Sequence, residues 1–357
     1  MDTNAPALPS LVSKSPESTC HTCWEQAAKN LLSACLLLIA APALFAAPAA
    51  SSQQIPATLK TTTGTLYGSL ELPTGTGPFP VALIIAGSGP TDRDGNDVQL
   101  GLDTDCYKLL AEALARNGIA SLRYDKRGAG EDLLLALPES KLRVETYIGD
   151  AVAWGKQLRG DRRFSTLTVI GHSEGSLIGM LAAREIPANA LVSIAGAGEP
   201  AQILILKQLQ PKLPPDLYQE SEKIVASLDR GHTVSNVPDQ LDVLFRPSVQ
   251  PYLISWFRYD PAEEFVQLKI PALIVQGERD LQVSVSDAQA LAKADPSAKL
   301  VLIPSMNHVL KDVGPSVTDN LAAYRNPDLP LDSTLASALS SFILHLPPTK
   351  GEPRGHK

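Results

Sequence analysis

Ser173 stands in Gly171-His172-Ser173-Glu174-Gly175, a serine flanked at two residues' distance by side chains that are nearly absent. A serine nucleophile carried on a sharp strand-to-helix turn sits in strained backbone, so its neighbours must leave room. Such a turn lifts the hydroxyl above the sheet and aims a helix N-terminus at the oxygen that becomes negative during acyl transfer. The apolar run Thr166 to Gly171 before the motif reads as a buried strand, and Ser176 to Glu185 after it as an apolar helix. Without that context the five-residue pattern would describe only a small-residue turn.

A serine hydroxyl is scarcely ionised at neutral pH and needs an imidazole to take its proton. On an elbow of this kind the acid and the histidine follow the serine in chain order. The chain has six histidines. His21 precedes the enzyme domain and His356 lies in the tail. His172 is inside the elbow and points elsewhere, and His232 falls in an inserted segment. His345, between Leu344 and Leu346, reads as packing on the last helix. His308 remains, in a loop just past the last strand, where the base belongs.

The acid belongs on a loop after an intervening strand. The strand Ala272 to Gly277 is followed by Glu278-Arg279-Asp280. Asp280 is the better placed of the two acids, because Glu278 leaves the strand too early. Asp287 and Asp295 fall in or after the next helix and are expected to be solvated. Asp280 would hold the imidazole in one tautomer and stabilise the imidazolium. The oxyanion needs two backbone donors, one of them the N–H of Glu174, directly after the nucleophile. The other is expected from the loop Gly87-Ser88-Gly89-Pro90, with Ser88 favoured and Gly89 the alternative. Asp92 to Asp97 is rich in oxygen ligands but lacks the glycine position and distant glutamate of a calcium loop. A turn explains it better, so neither a metal nor a cofactor is expected.

The elements that must position these residues alternate regularly. Thr65 to Pro73 has the two-residue period of a half-exposed strand. Val81 to Gly87, Ile119 to Asp125, Thr166 to Gly171, Ala190 to Gly196, Ala272 to Gly277 and Lys299 to Pro304 are apolar runs suited to buried strands. Helical spacing marks Leu109 to Leu114, Val144 to Leu158, Ser176 to Glu185, Ser286 to Ala294 and Leu335 to Leu346. This rhythm predicts an α/β fold, a mostly parallel twisted sheet covered by helices on both faces. From 197 to 265 the strand pattern stops and helical stretches take over at Ile203 to Leu209, Asp216 to Leu228 and Gln250 to Phe257. That segment reads as a helical cap, dividing the sheet domain into parts at 50–196 and 266–346.

Hydrophobic residues make up 44% of the 357-residue chain, enough for a large core. Net charge is −7 with no Lys/Arg-rich run, so no nucleic-acid partner is expected. Residues 1–49 read as a leader. Leu31 to Ala50 carries no charge, follows Lys29 and ends in small residues, as an export signal does. Cleavage near Ala47-Pro48-Ala49 or Leu44-Phe45-Ala46 would send the protein to the periplasm or the medium. An uncleaved membrane anchor is the alternative, and only then would a membrane be a partner. The segment ahead of the apolar run is unusually long and holds Asp2, Glu17 and Glu25. Three of four cysteines (Cys20, Cys23, Cys35) lie in the leader, which leaves Cys106 without a disulfide partner. The tail, 347–357, is polar and expected to be disordered.

GSGPTDRDGN, RYDKRGAGE, GHSEGS, the Asp-Pro before the strand Ala272 to Gly277, QGERDLQV and NHVLK together resemble bacterial α/β-hydrolases of the serine-aminopeptidase-like or esterase-like branch. The resemblance runs from about residue 60 to 346. It implies the α/β-hydrolase fold, Ser173, Asp280 and His308 as a triad, and Ser88 with Glu174 as oxyanion donors. The activity it implies is hydrolysis of a carboxylic ester, with a small-molecule ester or amide as partner. Ser176 stands where a further glycine is more usual. An aminopeptidase on the same triad would need carboxylates for a free α-amino group, for which Glu220, Glu222, Asp229, Glu263 and Glu264 of the cap are available. A thioesterase or acyltransferase would share the acyl-enzyme, and a non-catalytic binding protein would be expected to have lost a triad residue.

Overall fold

The computed structural model describes residues 52–346. The leader with its apolar run, Cys20, Cys23 and Cys35, and the tail at 347–357 lie outside the described residues. Among the described residues, no helix is long and apolar enough to cross a membrane.

The chain opens with an antiparallel pair, β1 (Gln53–Thr61) and β2 (Gly64–Leu72), and then enters the sheet centre as β3 (Phe79–Ile85). There follow α1 (Cys106–Arg116), β4 (Ala120–Tyr124), α2 (Val144–Gly160), β5 (Phe164–His172), α3 (Glu174–Glu185) and β6 (Ala190–Ile194). Five helices come next: α4 (Ala201–Leu209), α5 (Pro215–Asp229), α6 (Asp242–Phe245), α7 (Gln250–Trp256) and α8 (Pro261–Val266). The sheet resumes with β7 (Ala272–Gly277), α9 (Val285–Ala294) and β8 (Lys299–Ile303). It is followed by α10 (Val317–Ala322) and α11 (Ser333–Leu344).

Eight strands form one sheet in the order β1-β2-β4-β3-β5-β6-β7-β8. Only the β1–β2 and β2–β4 pairings are antiparallel. Alternate residues of β3 feed opposite cores. Val81, Leu83 and Ile85 pack with α2 and α3, while Ala82 and Ile84 pack with α1 and α11. Both faces are covered, which is why these strands read as continuous apolar runs. The sequence gives no sign of β1, because only Leu59 on that edge strand is buried. Its Pro56 is tolerated at a sheet edge, where a ladder N–H can be missing.

Strand order reverses at β3, which has β4 on one side and β5 on the other. Ligands of open α/β sheets bind at such switch points, beyond the carboxyl ends of the strands. Ile85 of β3 pairs with Gly171 of β5, so the loops that begin at Gly87 and Ser173 leave the sheet side by side. Gly277 likewise pairs with Ile303, which brings the loops after β7 and β8 together. The helices between β6 and β7 share their own apolar cluster, including Ile224, Leu228, Phe245 and Phe257. Val249 and Trp256 pack against both this cluster and the sheet core.

Candidate active site

Ser173 is the single residue between β5 and α3. Its backbone has φ 55° and ψ −122°, a conformation that costs a non-glycine residue and persists only where the surroundings impose it. Its N–H donates to the Ile194 carbonyl at 2.9 Å. A Cβ on Gly175 would lie 2.4 Å from the Ile85 carbonyl oxygen, and one on Gly171 would lie 2.1 Å from that of Gly175. Glycine on both sides is therefore a steric requirement of the turn. Ser176 adds a buried bond to Ser193 Oγ at 2.6 Å, which ties α3 to β6.

Asp280 and His308 come together from the loops after β7 and β8. His308 Nδ1 lies 2.8 Å from Asp280 Oδ2, with both side chains buried. Asp280 Oδ1 accepts the N–H groups of Gln282 and Val283 at 2.7 and 2.9 Å. Burial alone would raise the Asp280 carboxyl, but His308 and these backbone donors bring it below its ordinary range. Asn320 of α10 spans the two loops. Its side-chain amide donates to the Arg279 carbonyl at 2.6 Å, and its Oδ1 accepts from Asn307 at 3.2 Å. Among the described residues, no group hydrogen-bonds the Ser173 hydroxyl. Bonds of this kind often tighten only once substrate is present.

His172 has a larger part than the sequence suggests. Its Nε2 lies 2.8 Å from the His308 carbonyl oxygen, an acceptor, so this nitrogen carries the proton. Nδ1 then accepts the Tyr107 hydroxyl at 2.7 Å, and the Tyr107 oxygen accepts the Gly87 N–H at 3.0 Å. The chain of bonds joins the β3 loop, the elbow and the loop carrying His308. The His172 and His308 rings lie 4.8 Å apart. Burial, with the nearby His308 ring, lowers the His172 imidazole to about 3. The unfolded chain therefore takes up a proton near pH 6.5 that the native state refuses until about pH 3. The stability this group contributes is present above 6.5 and is lost as pH falls through that window, at about 1.4 kcal/mol per pH unit. His172→Gln should remove that much of the acid slope in denaturant midpoints measured from pH 7 to 4. An unchanged slope would contradict this linkage.

Asp287, expected to be solvated, is buried. It closes the N-terminus of α9 through Ser284 and accepts the Gly198 N–H at 3.0 Å, anchoring the start of the segment between β6 and β7. Asp92 to Asp97 forms a turn, with Asp92 Oδ1 accepting the N–H groups of Asp94 and Asn96 at 2.9 Å each. Among the described residues, no cluster of three or more His, Cys, Asp or Glu is placed to hold a metal ion.

Ser88 and Glu174 both line a cleft of about 80 Å³ over Ser173. Among the described residues, nothing accepts the Ser88 N–H. The Glu174 side chain is buried against Lys126 Nζ at 3.0 Å and also accepts the Tyr252 hydroxyl of α7. The cleft walls are mainly apolar, with Leu177, Leu204, Ile205, Trp256 and Val283. Glu199 is the other carboxylate on the wall, and it is paired with Lys207. None of Glu220, Glu222, Asp229, Glu263 or Glu264 lines the cleft. Glu220 pairs with Lys223, Glu264 with Arg184, and Asp229 accepts from Gln202.

A mostly parallel eight-stranded sheet, a strained serine between β5 and α3, and an Asp–His pair on the loops after β7 and β8 define the α/β-hydrolase fold. The family model described as serine aminopeptidase, S33, matches residues 100–311, and the chain belongs to that family. It is 30% identical over 249 residues to esterase EstD of Thermotoga maritima, covering 69% of this chain. The chain spans 58% of that relative's length. Among solved structures it resembles Est1E from Butyrivibrio proteoclasticus with bound ferulic acid, at TM-score 0.54 and 19% identity, covering 81% of this chain and 98% of that one. It also resembles the Pyrococcus horikoshii acylaminoacyl peptidase, at TM-score 0.52 and 13% identity, covering 85% and 43% of the two chains. An esterase and a peptidase share this fold, so the fold does not choose between the two bonds.

Proposed function

We propose that this protein is a serine hydrolase that cleaves carboxylic esters of small or medium acyl chains through an acyl-enzyme at Ser173. Ser173 Oγ attacks the ester carbonyl while its proton passes to His308 Nε2. The Ser88 and Glu174 N–H groups hold the negative oxygen of the tetrahedral intermediate. Collapse expels the alcohol, which takes the proton from His308. Water then repeats the sequence and releases the acid, and Asp280 keeps the imidazole Nδ1–H in place throughout.

The choice of ester rests on the cleft. Its walls are largely apolar and its carboxylates are already paired, Glu174 with Lys126 and Glu199 with Lys207. An aminopeptidase must offer a free carboxylate to the substrate's α-ammonium, and the cap acids lie elsewhere. Glu199 gives the peptidase reading its one foothold, because it is on the wall and would be released if Lys207 swung away. The purified protein should hydrolyse p-nitrophenyl acetate and butyrate, with turnover falling for long acyl chains, and should be labelled once per chain by a fluorophosphonate. Faster turnover of aminoacyl amides than of esters would favour the peptidase instead. Absence of both activities and of labelling would defeat the reading altogether.

A further inference from the structure

Lys126 is 4% exposed and sits directly behind the loop that carries Ser88. Its ammonium makes three contacts. It donates to the Gly87 carbonyl at 2.9 Å, pairs with Glu174 Oε2 at 3.0 Å, and lies 4.1 Å from the centre of the Tyr147 ring. A buried lysine on a sheet protein normally needs a reason, since burying an ammonium is costly unless it is paired and hydrogen-bonded.

The Gly87 carbonyl and the Ser88 N–H belong to one planar trans peptide and point in opposite directions. Whatever grips the carbonyl therefore sets the direction of the N–H. Lys126 grips it from inside the protein, and the Ser88 N–H is left without an acceptor on a residue that lines the cleft. Gly87 is held on its other side too, because its own N–H donates to Tyr107 at 3.0 Å. The loop is closed by Thr91, whose hydroxyl donates to the Ser88 carbonyl at 3.2 Å and whose carbonyl accepts the Lys126 N–H at 3.2 Å. The same ammonium neutralises a carboxylate on the residue after the nucleophile. An unpaired Glu174 would oppose the charge that grows on the substrate oxygen.

We propose that Lys126 is a positioning residue for the oxyanion hole: it aims the Ser88 N–H through the Gly87 carbonyl and cancels the charge of Glu174. Tyr252 of α7 completes the assembly by donating to the second Glu174 oxygen, which ties the capping helices to the same group. This inference rests on the ester-hydrolase reading of the site.

The test separates orientation from charge: Lys126→Met alone, which leaves Glu174 unpaired, should lose more kcat than the variant that also carries Glu174→Gln, and an equal loss in the two would overturn the charge role. In Lys126→Met with Glu174→Gln the pair is replaced by neutral groups, while the Gly87 carbonyl loses its donor. This double variant should keep KM within about threefold and lose about 100-fold in kcat, the scale of a lost oxyanion donor. Its affinity for a trifluoromethyl ketone, which adds to the serine as a tetrahedral mimic, should fall by the same factor. Wild-type kcat in the double variant would overturn the orientation role, even if Lys126→Met alone were slow. A rise in KM with kcat intact would overturn it too. Tyr107→Phe keeps the buried ion pair and releases the other hold on Gly87 without disturbing Lys126, while also taking the donor from His172 Nδ1. It should lose about tenfold in kcat and in ketone affinity, and unchanged values in both would count against the proposal. A wild-type protein that neither cleaves esters nor takes up a fluorophosphonate would instead defeat the proposed function.

Discussion

Ser173→Ala should lower kcat/KM for a p-nitrophenyl ester by roughly 10⁴- to 10⁶-fold, the scale of losing a serine nucleophile. The fold should survive this change. Among the described residues nothing bonds the hydroxyl, so its removal strands no buried partner. The strained backbone at φ 55° is imposed by Gly171, Gly175 and the Ile194 carbonyl, not by the serine side chain. Circular dichroism and the denaturant midpoint should therefore match the wild type while fluorophosphonate labelling disappears. Residual activity would come from the oxyanion donors and from binding alone. Undiminished turnover with a folded variant would place the nucleophile elsewhere.

Asp280→Asn should lower kcat by roughly 10³- to 10⁴-fold with little change in KM, because the imidazole would lose its required tautomer. The surroundings make this substitution harsher than its size suggests. Donors approach both carboxylate oxygens: His308 Nδ1 and Gln276 Nε2 at Oδ2, and the N–H groups of Gln282 and Val283 at Oδ1. An asparagine can accept on one side only. If its NH₂ group faces His308, Nδ1 must become the acceptor, and the proton moves to Nε2, where the serine needs a base. If it faces the backbone, the Asp280 turn loses its two amide bonds. Steady-state kinetics with an unfolding curve separates these outcomes. A variant within tenfold of wild-type kcat would show that Asp280 does not govern the tautomer.

The two predictions draw on residues that the sequence singled out by local context. Gly-His-Ser-Glu-Gly follows an apolar strand, and Asp280 and His308 each follow a later one. Continuous apolar runs marked the buried strands because both of their faces are covered. The edge strand β1 carries no such mark, since only Leu59 is buried and no alternation results. The short helices α6, α8 and α10 offered too few turns for a periodic signal.

What the sequence alone determined is what depends on neighbours along the chain. It marks the strand-and-helix alternation, the glycines that a sharp elbow requires, and a candidate order of serine, acid and histidine. The supporting residues had no such signal, and only the tertiary structure revealed them. Lys126 meets Glu174 across 48 positions, Tyr107 meets His172 across 65, and His172 reaches the His308 carbonyl across 136. Their side chains act through single hydrogen bonds to loops that become neighbours only when β3 and β5, or β7 and β8, lie side by side. The same holds for Asp287, which looks like a solvated helix residue until Gly198 is folded against it. Periodicity records which face of an element is buried, whereas a hydrogen bond between distant loops depends on strand order, and strand order is written in no local pattern.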